Sequence, residues 1–157
     1  MKKDAMDAFK NYIKIPVAWF CINIVPLLLI LLFAYTATAK LMAHAKTLSQ
    51  LTDTGLVQPL AQIAAYAVPI AELLTAILLG FKRSRLKGLW CAFFALLFFT
   101  GYVAVILSGS NIPCSCGGVI AAMSWKQHLY FNIFFLLLSI LSLHYHKRYY
   151  AYNKEVS

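Results

Sequence analysis

A chain of 157 residues with 62% apolar and only 12% charged side chains is a single domain by length, and it is too apolar for a soluble globular fold. Its formal net charge of +9 would suit nucleic acid, but the basic residues flank apolar runs, where the topology rule and anionic lipid headgroups account for them. Composition thus excludes the soluble and nucleic-acid-binding classes and leaves membrane lipid as the first partner.

Residues 1–16 carry Met6, Phe9 and Ile13 at helical spacing with lysines between them, which predicts an interfacial helix ending near Pro16. An uncharged run over 17–39 follows, long enough to cross about 30 Å of hydrocarbon, for which about 20 residues suffice. Ala37-Thr38-Ala39 imitates a signal-peptide cleavage site, but the run before it exceeds a signal peptide's apolar core, so it is expected to stay as a helix. Leu41, Ala45, Leu48 and Leu51 then recur at helical spacing among His44, Lys46, Gln50 and Asp53, predicting an amphipathic segment on the outer leaflet. This segment is expected to serve as a dimer surface or as a lid over the Cys pair that follows in the chain. Thr54-Gly55 and Pro59 break it before the second span.

The remaining spans are expected at 58–81, 88–108 and 127–146, all within a single membrane domain, 1–157. Between the third and fourth lies Pro113-Cys114-Ser115-Cys116-Gly117-Gly118, followed by the apolar stretch 119–123, read as a short helical turn against the bundle. Ser124-Trp125-Lys126-Gln127 has the pattern of a capping box opening the last helix. The expected fold is therefore an all-α membrane protein: a four-helix transmembrane bundle with an amphipathic outer segment between helices 1 and 2. Trp19, Trp90, Trp125 and Tyr149 fall at span ends, as interfacial aromatics do.

Of the Lys and Arg residues, eleven precede the first span, join the second to the third or follow the fourth; only Lys40, Lys46 and Lys126 lie on the other side. Positive residues stay cytoplasmic, which predicts cytoplasmic termini and an outward Cys pair, periplasmic if the membrane is a bacterial inner membrane.

Two thiols one residue apart in a turn can exchange disulfides or hold a soft metal. Gly117 and Gly118 leave room for a partner protein, and Lys126 with the capped helix start supplies positive potential that favours thiolate. A disulfide between Cys114 and Cys116 would close a small strained ring, suited to exchange more than to stapling. Cys116, beside the glycines, is the favoured sulfur for a mixed disulfide. Cys21 and Cys91 map near the opposite face, where an inner relay would require them to face each other. Glu72 lies deep in the second span after Pro69, with Asn23, Thr100 and Ser139 as its expected neighbours by depth. Two readings stand for it: a proton carrier or hydrogen-bonding site for a quinone headgroup, and a protonated carboxyl joining helices. His44 and His128 fall on the outer side, where with Cys114 and Cys116 they offer a soft-metal set for Cu(I).

Four spans, an outward Cys-x-Cys and Val68-Pro69-Ile70-Ala71-Glu72-Leu73 in the second helix resemble the methylamine utilisation protein MauE and the wider DoxX-like family of small redox-associated membrane proteins. Tyr35 and Lys40-Leu41 also resemble the family pattern. Its most specific element is matched by Cys114, Cys116 and Gly118, while Gly117 stands where a bulkier residue is expected. The resemblance implies a helper in periplasmic maturation of a disulfide-containing protein, in that family the small subunit of methylamine dehydrogenase, beside a thioredoxin-like partner. The leading expectation is an inner-membrane thiol–disulfide oxidoreductase using Cys114 and Cys116, supported by Gly117, Gly118, Lys126 and Glu72. The alternatives are a Cu(I)-type metal-handling protein and a membrane scaffold without chemistry of its own.

Overall fold

The computed structural model describes residues 16–53, 60–109 and 124–156, and within them every element is helical. The helices are α1 (Pro16–Met42), α2 (His44–Asp53), α3 (Ala61–Gly80), α4 (Arg85–Gly109) and α5 (Trp125–Val156). Four of them, all but α2, are long and apolar enough to cross a membrane, so the expected four-helix bundle is present. The expected interfacial helix at the start, the break at Thr54, Gly55 and Pro59, and the turn at 119–123 lie outside the described residues.

Only about a fifth to two fifths of each spanning window is buried within the protein, because the outward side chains meet lipid, as large apolar residues such as Leu31, Leu74, Phe94 and Leu137 do. Helices suit this environment because their backbone groups are satisfied internally. Pro26 has no N–H to offer the preceding turn, and just before it α1 widens into a π-turn, Phe20–Ile24, closed by Val25 N–H donating to the Phe20 carbonyl. Asn23 Nδ2 donates to the Trp19 carbonyl at 3.0 Å across the same turn.

The connection from α3 to α4 is tight because its own side chains cap the end of α3. Ser84 Oγ donates to the Leu78 carbonyl at 2.8 Å and Arg85 Nε to the Leu79 carbonyl at 3.2 Å. Gly88 then passes directly over α3: a Cβ there would stand 2.7 Å from Leu79 N, closer than real contacts allow. α5 begins with the expected capping box, with Ser124 N–H donating to Gln127 Oε1 at 2.8 Å and Gln127 N–H to Ser124 Oγ at 3.4 Å.

α1 packs along α3 and α4 along α5, and α3 joins the two pairs through α4. The apolar core is concentrated at the end of the bundle holding the start of α1 and the end of α5. Val25, Leu29 and Phe33 of α1 meet Ala76 and Leu79 of α3, Leu89, Ala92 and Leu96 of α4 and Leu143 of α5. At that end Ser142 Oγ of α5 donates to the Cys21 carbonyl of α1 at 2.7 Å, a buried bond that ties the outermost helices together. Toward the other end a cavity opens among the helices, with Thr47 and Leu51 of α2 in its lining.

Candidate functional site

This cavity measures about 190 Å³, and all five helices contribute to it. Helical spacing decides who reaches it. Phe33, Thr36 and Lys40 form one stripe of α1, Ala64, Val68 and Glu72 one stripe of α3, and Trp125, His128 and Asn132 one stripe of α5. Leu96, Phe99 and Val103 supply the α4 wall, and Thr47 and Leu51 of α2 close the top. The expected amphipathic segment is present as α2, whose Thr47 Oγ1 donates to the Ala43 carbonyl at 3.2 Å, where α1 ends; the Cys pair it was expected to cover lies outside the described residues.

At the cavity wall Lys40 Nζ donates to Glu72 Oε1 in an ion pair between α1 and α3. Side chains on a helix tilt toward its N-terminus, so Lys40, near the C-terminal end of α1, reaches back into the bundle and not out to its surface. Glu72 is 3% exposed and Lys40 22%. The ammonium also stands 4.6 Å from the centroid of the Phe99 ring, a cation–π contact that replaces part of its lost hydration. Neutralised by its partner, each charge is tolerable at this depth; alone, neither would be.

Glu72 therefore meets Lys40 and not the neighbours expected from depth. The polar groups of Asn23, Thr100 and Ser139 turn to backbone carbonyls of their own helices, at Trp19, Leu96 and Leu136. Thr100 falls between Phe99 and Val103, which do line the cavity, and so misses by direction, whereas on α5 it is Asn132, about two turns before Ser139, that lines the cavity with Glu72. Lys40, assigned from sequence to the outer surface, belongs to the interior.

Three polar atoms of this cavity have no hydrogen-bond partner among the described residues: Glu72 Oε2, His128 Nδ1 and Asn132 Nδ2. Asn132 is 6% exposed, and a buried amide donor without a partner is costly. The sequence signal for it was modest, an amide within the apolar run of the last span; Lys40 was marked by the family resemblance and stands one turn after Thr36, but neither pointed to Glu72 as its partner.

Of the candidate site residues named from sequence, Glu72 and His128 are brought to this one cavity. His44 is not: its ring stacks on Tyr66 at 4.1 Å between centroids, in a separate recess between α2 and α3. Lys126 is exposed in the first turn of α5. Among the described residues no three His, Cys, Asp or Glu side chains are grouped to hold a metal. Cys114, Cys116, Gly117 and Gly118 lie outside the described residues, on the connection from α4 to α5. An inner thiol relay finds no support, because Cys21 is buried inside the bundle while Cys91 is on its exposed surface.

No curated protein and no solved structure matches the chain. A protein-family match does exist, to "Methylamine utilisation protein MauE", and it runs over residues 18–145, from the first turn of α1 through α2, the cavity stripes and the Cys-x-Cys connection to α5. A match over most of the length, on a four-span helical bundle, means that the chain belongs to the MauE family.

Proposed function

We propose that this MauE-family membrane protein exchanges thiols and disulfides through Cys114 and Cys116 at the periplasmic face of a bacterial inner membrane, serving the maturation of a disulfide-containing enzyme of methylamine utilisation. The observation that carries the reading is the Cys114-Ser115-Cys116-Gly117-Gly118 sequence on the connection that leads into the capped start of α5. A helix N-terminus has positive potential, Lys126 adds to it in the first turn, and both favour thiolate nearby. Family membership supplies the metabolic setting.

In one direction, a thiolate of the pair, Cys116 for preference, attacks a sulfur of a thioredoxin-fold partner's or client's disulfide. That S–S bond breaks as the mixed disulfide forms, and the departing thiolate takes up a proton. The second cysteine attacks the mixed disulfide, closes Cys114–Cys116 and releases the partner as a dithiol, so two electrons pass to the partner. The reverse sequence oxidises a client dithiol.

Alkylation trapping in intact cells tests this, comparing oxidising with reducing growth and examining Cys114→Ser and Cys116→Ser on non-reducing gels. A reversible shift of the wild type, with a covalent partner trapped in one variant, is the expected result. Thiols that stay reduced in both conditions and react only after chelation would replace exchange by soft-metal handling. Full maturation activity in the double Ser variant would leave only a scaffold.

A further inference from the structure

The cavity between the helix pairs carries chemistry that thiol exchange does not use. Its walls are aromatic and aliphatic, its charges cancel in the Lys40–Glu72 pair, and its unpartnered atoms are of both kinds. Asn132 Nδ2 is a hydrogen-bond donor, Glu72 Oε2 an acceptor, and His128 Nδ1 either according to its tautomer. An acyl chain would leave all three unsatisfied. Water would satisfy them but would wet a surface made mostly of Phe33, Val68, Leu96, Phe99 and Phe131. A net charge of zero in the pair argues against an ionic ligand.

We infer that the cavity is a binding site for the headgroup of a membrane quinone. A ring with carbonyl oxygens accepts from Asn132 and from the His128 N–H tautomer, and its reduced form donates a hydroxyl proton to Glu72. The couple therefore fits the polar atoms in both of its redox states. Size agrees: an apolar cavity of about 150 Å³ holds a benzene ring, and about 190 Å³ is open here. Phe98 lines the cavity and is also exposed on the lipid-facing side of α4, which gives an isoprenoid tail a way out to the bilayer. Binding stands independently of the thiols. Its use as an electron acceptor rests on the exchange proposed above, in which oxidation of Cys114 and Cys116 to a disulfide releases the two electrons and two protons that turn a quinone into its quinol.

The test is a titration of the full chain, in phosphatidylcholine nanodiscs free of quinone, with a decyl-tailed benzoquinone, its quinol, and decylbenzene as a ring without oxygens. Saturable binding of one quinone per chain is expected, with decylbenzene at least tenfold weaker. Asn132→Leu should weaken quinone more than quinol, and Glu72→Gln quinol more than quinone, a split that general loosening of the bundle would not produce. Ala64→Phe, which fills the cavity, should abolish binding of both, while Ser139→Ala, outside the cavity, should change neither. The Cys114→Ser/Cys116→Ser protein should bind as the wild type does, whether or not exchange holds. Absence of saturable binding, equal affinity for decylbenzene, or binding indifferent to both Asn132→Leu and Ala64→Phe would overturn the assignment.

Discussion

Lys40 and Glu72 couple α1 to α3 by charge, and their worth lies in being present together. Removing one partner leaves a charge or an unpaired polar group inside the bundle, which in a fully buried pair costs about 3–5 kcal/mol. Lys40 is 22% exposed, so each single change, Lys40→Met or Glu72→Leu, should cost less than that. The double variant should cost less than the sum of the singles, with a coupling of roughly 1–2 kcal/mol in a double-mutant cycle read by reversible unfolding in mixed micelles. Simple additivity would mean that the pair contributes nothing as a pair. A steric contrast is available at the glycines. Gly88→Ala drives a Cβ into the α3 backbone at Leu78 and Leu79, where nothing can rotate away, and should destabilise by about 1–3 kcal/mol. Gly101 has nothing within 4 Å of such a Cβ, so Gly101→Ala should gain up to about 1 kcal/mol from helix propensity alone. Thermal unfolding of the two variants side by side checks both signs.

Whole helices set the height of the cavity residues, and the start of α5 sets it most directly. Trp125 and His128 both lie in its opening turns, just after the reciprocal hydrogen bonds of Ser124 and Gln127. Ser124→Ala should cost about 1 kcal/mol. Its signature should be local, with faster amide hydrogen exchange over 125–128 and little change in the middle of α5; uniform acceleration along the helix would show that the cap is not what holds this turn. This box was legible in the sequence because capping is written in four consecutive residues. The spans were legible for a similar reason, since hydrophobic length needs no knowledge of neighbours, and so was the amphipathic α2. The Lys40–Glu72 pair was not. It depends on α1 continuing as helix past Ala39, on the backward tilt of a helical side chain and on the relative height of two helices, none of which is encoded locally. Asn132 was hidden in the same way: whether it faces Glu72 depends on how α5 is set against α1 and α3, which no local pattern gives.

At the scale of the molecule, the ion pair alters the balance of charge between the two ends of the bundle. Counted along the sequence, eleven Lys and Arg residues lie on the side of the chain's start and three on the other. Lys40 is one of those three, yet its charge is spent on Glu72 inside the bundle, so Lys46 and Lys126 alone remain to oppose the eleven. Part of the larger cluster also has structural work, since Arg85 caps α3 and Lys147 Nζ stands 4.7 Å from the Trp90 ring centroid, but these contacts leave the charges at that end. Under the topology rule that count accords with the orientation proposed above, a cytoplasmic start and an outward α4–α5 connection, which labelling tests. A membrane-impermeant maleimide applied to intact spheroplasts, after mild reduction, should label Cys114 and Cys116 in a variant lacking Cys21 and Cys91. A single cysteine at Ser84, between α3 and α4, should react only after the membrane is permeabilised. The opposite pattern would reverse the orientation and put the thiol pair in the reducing cytoplasm, where a disulfide-forming role would fail while the cavity and its ion pair stood unchanged.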